Sequence, residues 1–401
     1  MQTEKLWSAD AKNLRPSAIR RFSAMINDPR IISFAGGAPS PATFPSARIA
    51  HYAEKVVRDN AAVSLQYGPT RGLPALRDSV AAVCGERGIA CDAATQLLMT
   101  TGSQQALYLV AMTLLDPGDV VLVELPTYIG GAGAFYARRA ELVGVPQDDE
   151  GIVPSALEAS AARLQAEGRR IKFLYTIPNF QNPSGRVLAS KRRAEVLAIA
   201  RAHDFLVVED DPYGELCFAD GLDTTPIKKN DVEQRVIYLG SFSKVLAPGL
   251  RTGWIVGEPK FIRQCEIAKE SVDLCSGMLD EAVIAAFCAA GELPGQITAV
   301  RSFYRDRRDA LIGALDEHFT GHATWTKTEG GLFTFLSLDD GRDTEQLLAG
   351  SVERGVAYIP GGAFFVDGTG SNTMRLTFAK ETDERMREGI RRLAELFFQT
   401  T

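Results

Sequence analysis

Arg235-Val236-Ile237-Tyr238-Leu239-Gly240-Ser241-Phe242-Ser243-Lys244 is a short apolar run of strand length that stops abruptly in hydroxyls and an amine. A continuous apolar run bounded by turn residues suits a strand covered on both faces, as in a parallel sheet. Working outward, the same unit recurs. Strands are expected at Gln96–Thr100, Val120–Glu124, Glu141–Val145, Ile171–Thr176, Phe205–Glu209, Val236–Gly240 and Gly253–Gly257. Helical spacing intervenes at Ser103–Leu115, Gly130–Arg139, Pro154–Gln165 and Ser190–His203. Strand, helix, strand repeated in this way predicts an α/β fold whose large domain holds a mainly parallel seven-stranded sheet between helices.

Beyond that block, helices are expected from Ser46, with Ser46 itself as the cap, and around Leu73–Val83. One long helical pattern runs from Pro259 to about Ala290 and another over Gln296–His318. Strands at Gly331–Leu338 and Thr373–Phe378, with helices at Thr344–Arg354 and Glu381–Phe398, predict a smaller α+β domain. The expected division is 1–45 as an N-terminal segment packing with the small domain, 46–295 as the large domain and 296–401 as the small one.

With 401 residues, 45% of them hydrophobic, the chain can bury a large core. A net charge of −6 and the lack of a Lys/Arg-rich arm argue against a nucleic-acid partner. The N-terminus has no apolar core of signal-peptide length, and no run of about 18 apolar residues follows, so no membrane span and a cytoplasmic location are expected. Six scattered cysteines without a Cys-x-x-Cys pair fit reduced thiols. His318 and His322 stand four apart, but Thr320 and Gly321 interrupt the helix that would aim them at one metal, so no metal is expected.

In an open parallel sheet, ligands lie beyond the carboxyl ends of the strands. Applied to the expected strands, that rule gathers Ser103, Gln104, Tyr128, Asn182, Asp210, Tyr213, Ser241, Ser243 and Lys244 on one rim. Two serines with Arg251 suit a phosphate monoester, and Lys244 beside them can condense with an aldehyde on the same molecule. Pyridoxal 5′-phosphate carries both groups. Thr101-Gly102-Ser103-Gln104 opens a helix, whose free N–H groups and dipole favour the phosphate. A buried carboxylate facing the ring nitrogen keeps the pyridine protonated and able to take up electrons. Asp210 fits that role, and an exchange with Asp211 stays open. Tyr213 and Asn182 can reach the ring oxygen, and Tyr128 offers an aromatic face. Arg375, flanked by apolar residues, is a guanidinium where a core residue is expected, and the α-carboxylate of an amino acid suits it. Singly, each residue also fits an ordinary turn, cap or packing role; their meeting on one rim argues for a site. No Gly-x-Gly-x-x-Gly or Walker lysine motif supports a dinucleotide or triphosphate.

The specific pieces are Phe34-Ala35-Gly36-Gly37-Ala38-Pro39, Gln66-Tyr67-Gly68-Pro69, Thr101-Gly102-Ser103-Gln104-Gln105, Pro126-Thr127-Tyr128, Gln181-Asn182-Pro183-Ser184-Gly185, Glu209-Asp210-Asp211-Pro212-Tyr213, Gly240-Ser241-Phe242-Ser243-Lys244 and Met374-Arg375-Leu376. With them the chain resembles, over nearly its whole length, the fold-type I pyridoxal-phosphate aminotransferases of class I/II. The branch is that of 2-aminoadipate aminotransferases, kynurenine aminotransferase II and the catalytic half of MocR-type regulators. The resemblance implies transfer of the α-amino group of an aromatic, 2-aminoadipate-like or broader range of L-amino acids to a 2-oxo acid such as 2-oxoglutarate, by a ping-pong cycle. It makes Lys244 the Schiff-base lysine, Asp210 the partner of the pyridine nitrogen and Tyr128 the stacking ring. Tyr67 would reach the cofactor phosphate of a neighbouring subunit, which implies a homodimer with shared active sites. Gly37, Asn182 and Arg375 would bind the substrate carboxylate, Phe333 would supply an apolar wall, and Arg20 would belong to a gating N-terminal segment.

Two rivals stand beside this reading. One is a non-transamination reaction on the same scaffold, of β-lyase, cyclase or oxidase type. The other is a cofactor-binding regulatory protein without turnover. Lys244, Asp210 and Arg375 together argue against the second, since binding alone needs no base, and no winged-helix domain precedes residue 1.

Overall fold

In the computed structural model, residues 3–14 and 28–398 are described. The strands in chain order are β1 (Ile32–Ser33), β2 (Leu97–Thr100), β3 (Val120–Leu125), β4 (Glu141–Asp148), β5 (Gly151–Ile152), β6 (Ile171–Thr176) and β7 (Leu206–Asp210). They continue with β8 (Val236–Ser241), β9 (Gly253–Val256), β10 (Ala323–Trp325), β11 (Phe333–Leu338), β12 (Val356–Ala357), β13 (Ile359–Pro360) and β14 (Thr373–Thr377).

The large sheet has the order β2-β9-β8-β7-β6-β3-β4-β5. From β8 to β4 all pairings are parallel, whereas β9 runs antiparallel to both of its neighbours. Seven strands were expected and eight are present. The addition is β5, which folds back antiparallel on β4 through a turn whose reversal uses Gly151 at φ 89°. Two residues carry no periodicity, so the sequence held no signal for it. Side chains alternate between the faces as a pleated strand requires. Val121 and Val123 of β3 and Phe173 and Tyr175 of β6 join one core. Val120, Leu122 and Leu174 join the other, beneath the helices Pro154–Ala166 and Ser190–Ala202.

Two helix expectations change. Pro45, not Ser46, holds the cap position of Ser46–Ser64: Ser46 is already helical, and its hydroxyl donates back to the Phe44 carbonyl at 3.4 Å. The long pattern after Pro259 is two helices, Pro259–Val272 and Met278–Ala289. They part where Leu274 takes φ 63°, a left-handed conformation no helix continues through. The next helix, Leu293–His318, ends at the first histidine of the candidate pair, and His322 instead stacks on Phe398 at 4.3 Å. Among the described residues no single helix is long and apolar enough to cross a membrane.

The smaller sheet, β10-β11-β14-β13, is antiparallel throughout. Early residues of the chain are stitched to this part: β1 pairs parallel with β12, and Thr377 N–H donates to the Phe34 carbonyl at 3.0 Å. That stitching brings Gly37 toward β14 and its Arg375.

Candidate active site

The carboxyl ends of the parallel strands, the start of β9 and the edge of β14 meet at a cavity of about 280 Å³. Its wall contains Ser103, Gln104, Tyr128, Asn182, Asp210, Tyr213, Ser243, Lys244 and Arg251, together with Gly37, Phe333 and Arg375. Two expected residues stand apart from it. Ser241 lies one layer beneath: its hydroxyl donates to Ser243 Oγ at 2.8 Å and accepts the Ser243 N–H at 3.0 Å. Ser241 ends the buried strand, so its side chain props up Ser243 instead of reaching the cavity. Tyr67 is 79% exposed and away from the cavity. Arg20 lies outside the described residues.

Lys244 Nζ donates to the Gly37 carbonyl at 3.0 Å and sits 5.8 Å from the centre of the Tyr213 ring. Burial, followed by the charges of Arg375 and Arg251, lowers its pKa to about 8, with Asp210 pulling the other way. Below it lies an anion cradle. Gly102, at φ 74°, opens the helix Gly102–Leu114, and a Cβ there would collide with the Arg251 guanidinium. Arg251, itself at φ 45°, donates to the Thr101 carbonyl at 3.2 Å. Gln104 Nε2 donates to the Gly130 carbonyl at 3.0 Å, tying the cradle to the loop that carries Tyr128.

The two neighbouring aspartates separate completely. Asp211 turns away from the cavity into an ion pair with Arg87 at 2.7 Å, and it also accepts from Asn179 at 3.0 Å and Tyr238 at 3.3 Å. Asp210 turns into the cavity. Its Oδ2 accepts from the Tyr175 hydroxyl at 2.9 Å, and its Oδ1 is buried without a partner among the described residues. Burial pushes this carboxyl up to about 7, against the hydrogen bond from Tyr175.

Arg375 is fully buried and enters no ion pair among the described residues. Nη1 donates to Asn182 Oδ1 at 2.9 Å, Nη2 to the Ala35 carbonyl at 2.7 Å, and Nε has no partner. The Phe333 and Phe364 rings cover it, at 4.3 and 5.2 Å from ring centre to Cζ. Burial lowers its pKa to about 10, opposed by Tyr213 and Tyr128. A Cβ on Gly37 would stand 3.1 Å from the Phe333 ring, so glycine keeps this wall close.

Sequence reasoning missed Tyr175, and also Ile177, Pro212 and Pro248 in the cavity wall. A tyrosine inside an apolar strand needs a partner for its hydroxyl, which was the available signal for Tyr175; the other three carry no chemical mark.

These carboxyls bear on stability. Glu124, Glu209 and Asp210 are each pushed up to about 7, chiefly by burial. A carboxyl raised in the folded state stabilises most below its ordinary pKa, near 4, and that contribution is lost as pH rises through the raised value. Asp223 and Glu388, depressed to about 2, titrate below this window. Lys244 acts in the opposite sense only above about 8. Thermal melting of cofactor-free protein is therefore expected at a lower temperature at about pH 7.5 than at about pH 5. A flat or rising Tm would mean that these carboxyls ionise normally inside the fold.

An orphaned carboxylate oxygen, an amine with no carboxylate against it and a glycine-built anion cradle fit the ring nitrogen, aldehyde and phosphate of pyridoxal phosphate. A sequence profile of the family "Aminotransferase class I and II" matches residues 30–393. The chain is 44% identical to aromatic-amino-acid aminotransferase 1 of Thermococcus litoralis, over 98% of this chain and 94% of the relative. It is 37% identical to 2-aminoadipate transaminase of Thermus thermophilus, over 96% and 94%. The crystal structure of Pyrococcus horikoshii kynurenine aminotransferase, with PMP, superposes with a TM-score of 0.95 at 42% identity, covering 98% of this chain and 97% of that one. The chain belongs to the class I and II aminotransferases, with the fold-type I architecture of that family and pyridoxal 5′-phosphate as its cofactor.

Proposed function

We propose that this protein transfers the α-amino group of an aromatic or 2-aminoadipate-like L-amino acid to a 2-oxo acid such as 2-oxoglutarate, in a ping-pong cycle. The observation that carries this reading is Arg375, a buried guanidinium with no carboxylate partner among the described residues, lining the same cavity as Lys244. A desolvated cation of that kind is completed by an anionic reactant. The names of the relatives support the donor class.

When bound, pyridoxal phosphate supplies the aldehyde that takes up the amino group and the ring that accepts the electron pair of the α-carbon. The chain's own residues do the rest. Gly102, Ser103, Gln104, Ser243 and Arg251 hold the phosphate, with Ser241 supporting Ser243. Asp210 would hold the ring nitrogen through its unpartnered Oδ1, Tyr128 would supply the stacking face, and Tyr213 and Asn182 would hold the ring oxygen. Arg375 and Asn182, with Gly37, would bind the α-carboxylate. Lys244 Nζ, with its pKa near 8, has a neutral fraction at physiological pH and takes the α-proton. Phe333 would supply an apolar wall beside it.

The same reading includes a homodimer with shared sites, in which Tyr67 reaches the phosphate in the neighbouring subunit; the high exposure of Tyr67 supports it. Arg20 would act on substrate side chains from the N-terminal segment. The domains would be 1–45, 46–295 and 296–401, and the location cytoplasmic, in keeping with six free thiols.

Single L-amino acids added to the loaded protein without an acceptor should each yield one equivalent of 2-oxo acid and no more, with turnover restored by 2-oxoglutarate. Multiple turnovers without an acceptor would replace transamination by an elimination reaction. Arg375→Ala should lower kcat/KM for every amino and oxo acid by roughly 30-fold or more, the scale of truncating one partner of a buried charge pair. Slow reaction with amines lacking a carboxylate should be unaffected; an equal loss there would make Arg375 purely structural.

A further inference from the structure

We propose that Tyr175 is a positioning residue that divides the two oxygens of Asp210, holding Oδ2 so that Oδ1 alone is offered to the cofactor's ring nitrogen. The proposal rests on the reading of Asp210 given above. A carboxylate at a strand end has two equivalent oxygens and can turn about its last single bond, whose torsion is broad. Tyr175 removes that freedom. It stands in β6 opposite Val208 of β7, and its hydroxyl reaches Asp210 Oδ2 at 2.9 Å. Both side chains are buried, so no solvent competes for the bond. The other oxygen has no partner at all among the described residues.

The hydroxyl has a built seat. A Cβ at Gly131 would lie 2.8 Å from Tyr175 Cζ and 2.9 Å from its oxygen, so the helix Ile129–Tyr136 makes room by carrying glycine there. Phe135 from the same helix packs edge-on against the ring at 5.3 Å. Tyr128 is the residue that caps this helix, so one element shapes both the stacking face and the seat of Tyr175. Asp211 cannot take over, because Arg87, Asn179 and Tyr238 occupy it. A hydroxyl donor also favours the charged carboxylate. On Asp210, burial acts most strongly to raise the pKa, and the Tyr175 bond is the main influence against it, ahead of Lys244. Without that donor, Asp210 would tend to keep its own proton.

The test compares the dissociation constants of pyridoxal phosphate and of its carbocyclic analogue, with C–H in place of the ring nitrogen, for wild type, Tyr175→Phe and Asp210→Ala. Tyr175→Phe is expected to weaken pyridoxal phosphate binding about tenfold, the scale of one charge-assisted hydrogen bond, and to leave the analogue within about twofold. Asp210→Ala should discriminate in the same direction and more strongly. If Asp210→Ala discriminates but Tyr175→Phe weakens both ligands equally, or neither, Tyr175 is structural and the proposal falls alone. If Asp210→Ala does not discriminate, the underlying reading of Asp210 falls and the proposal with it. Should Tyr175→Phe yield no folded protein, Gly131→Ala, which presses on the hydroxyl from the helix, takes its place with the same expected sign.

Discussion

Lys244→Ala is expected to bind pyridoxal phosphate and yet transfer no amino group at a measurable rate, a loss on the order of 10⁴-fold or more. Binding survives because the cradle at Gly102, the Ser243 hydroxyl, Arg251 and Asp210 do not depend on the lysine side chain. Turnover does not survive, because no other amine lines the cavity to take the α-proton. Among the described residues Lys269 is a fully buried lysine, and it is already held by Asp273 at 3.0 Å. Borohydride reduction of the loaded wild type followed by peptide mapping should therefore place the label on Lys244. A label on Lys269 or any other lysine would overturn the assignment.

Asp210→Ala comes next in size, and its contrast with Asp211→Ala is sharper than either change alone. Losing the carboxylate that faces the ring removes at least ~4 kcal/mol of preorganised electrostatic stabilisation, about a thousandfold in kcat. It also removes a desolvated acid while leaving the buried Tyr175 hydroxyl without its Asp210 partner, a cost of about 1–3 kcal/mol, so the fold should suffer less than in Asp211→Ala. Asp211→Ala does the reverse: it leaves the Arg87 guanidinium buried without its main partner, a cost of about 3–5 kcal/mol in stability. Measured side by side, kcat should collapse in the first variant and Tm in the second. The opposite pattern would exchange the roles of the two residues.

Much of this was legible in the sequence because the chemistry sits where apolar runs end. The expected strand end at Thr176 is the observed one, those at Glu209 and Gly240 fall one residue short of Asp210 and Ser241, and the polar residues there needed only the rule about carboxyl ends. What the sequence could not supply was direction. Asp210 and Asp211 are the same residue type one step apart, and only the pleat decides which one enters the cavity. Ser241 and Ser243 share a motif, yet one props the other. Tyr175 carried a signal, a hydroxyl within an apolar run, but its partner is on another strand and appears only once the sheet is assembled. The break at Leu274 is a backbone conformation, which the apolar spacing on either side conceals.

The arrangement of the two sheets has a further consequence. Within one subunit, the groups proposed to grip the phosphate belong to the large sheet and its loops: the cradle follows β2, Ser243 follows β8 and Arg251 precedes β9. The antiparallel course of β9 sets Gly253 opposite both Thr100 and Ser241, so these pieces are pinned to one another in a single register. Arg375, which grips the small reactant, hangs from the other sheet, on β14. A two-stage exchange demands that the first oxo acid depart while the carrier of the nitrogen stays behind. On the proposed reading, retention and release would rest on different sheets, joined where Arg375 donates to Asn182 at 2.9 Å.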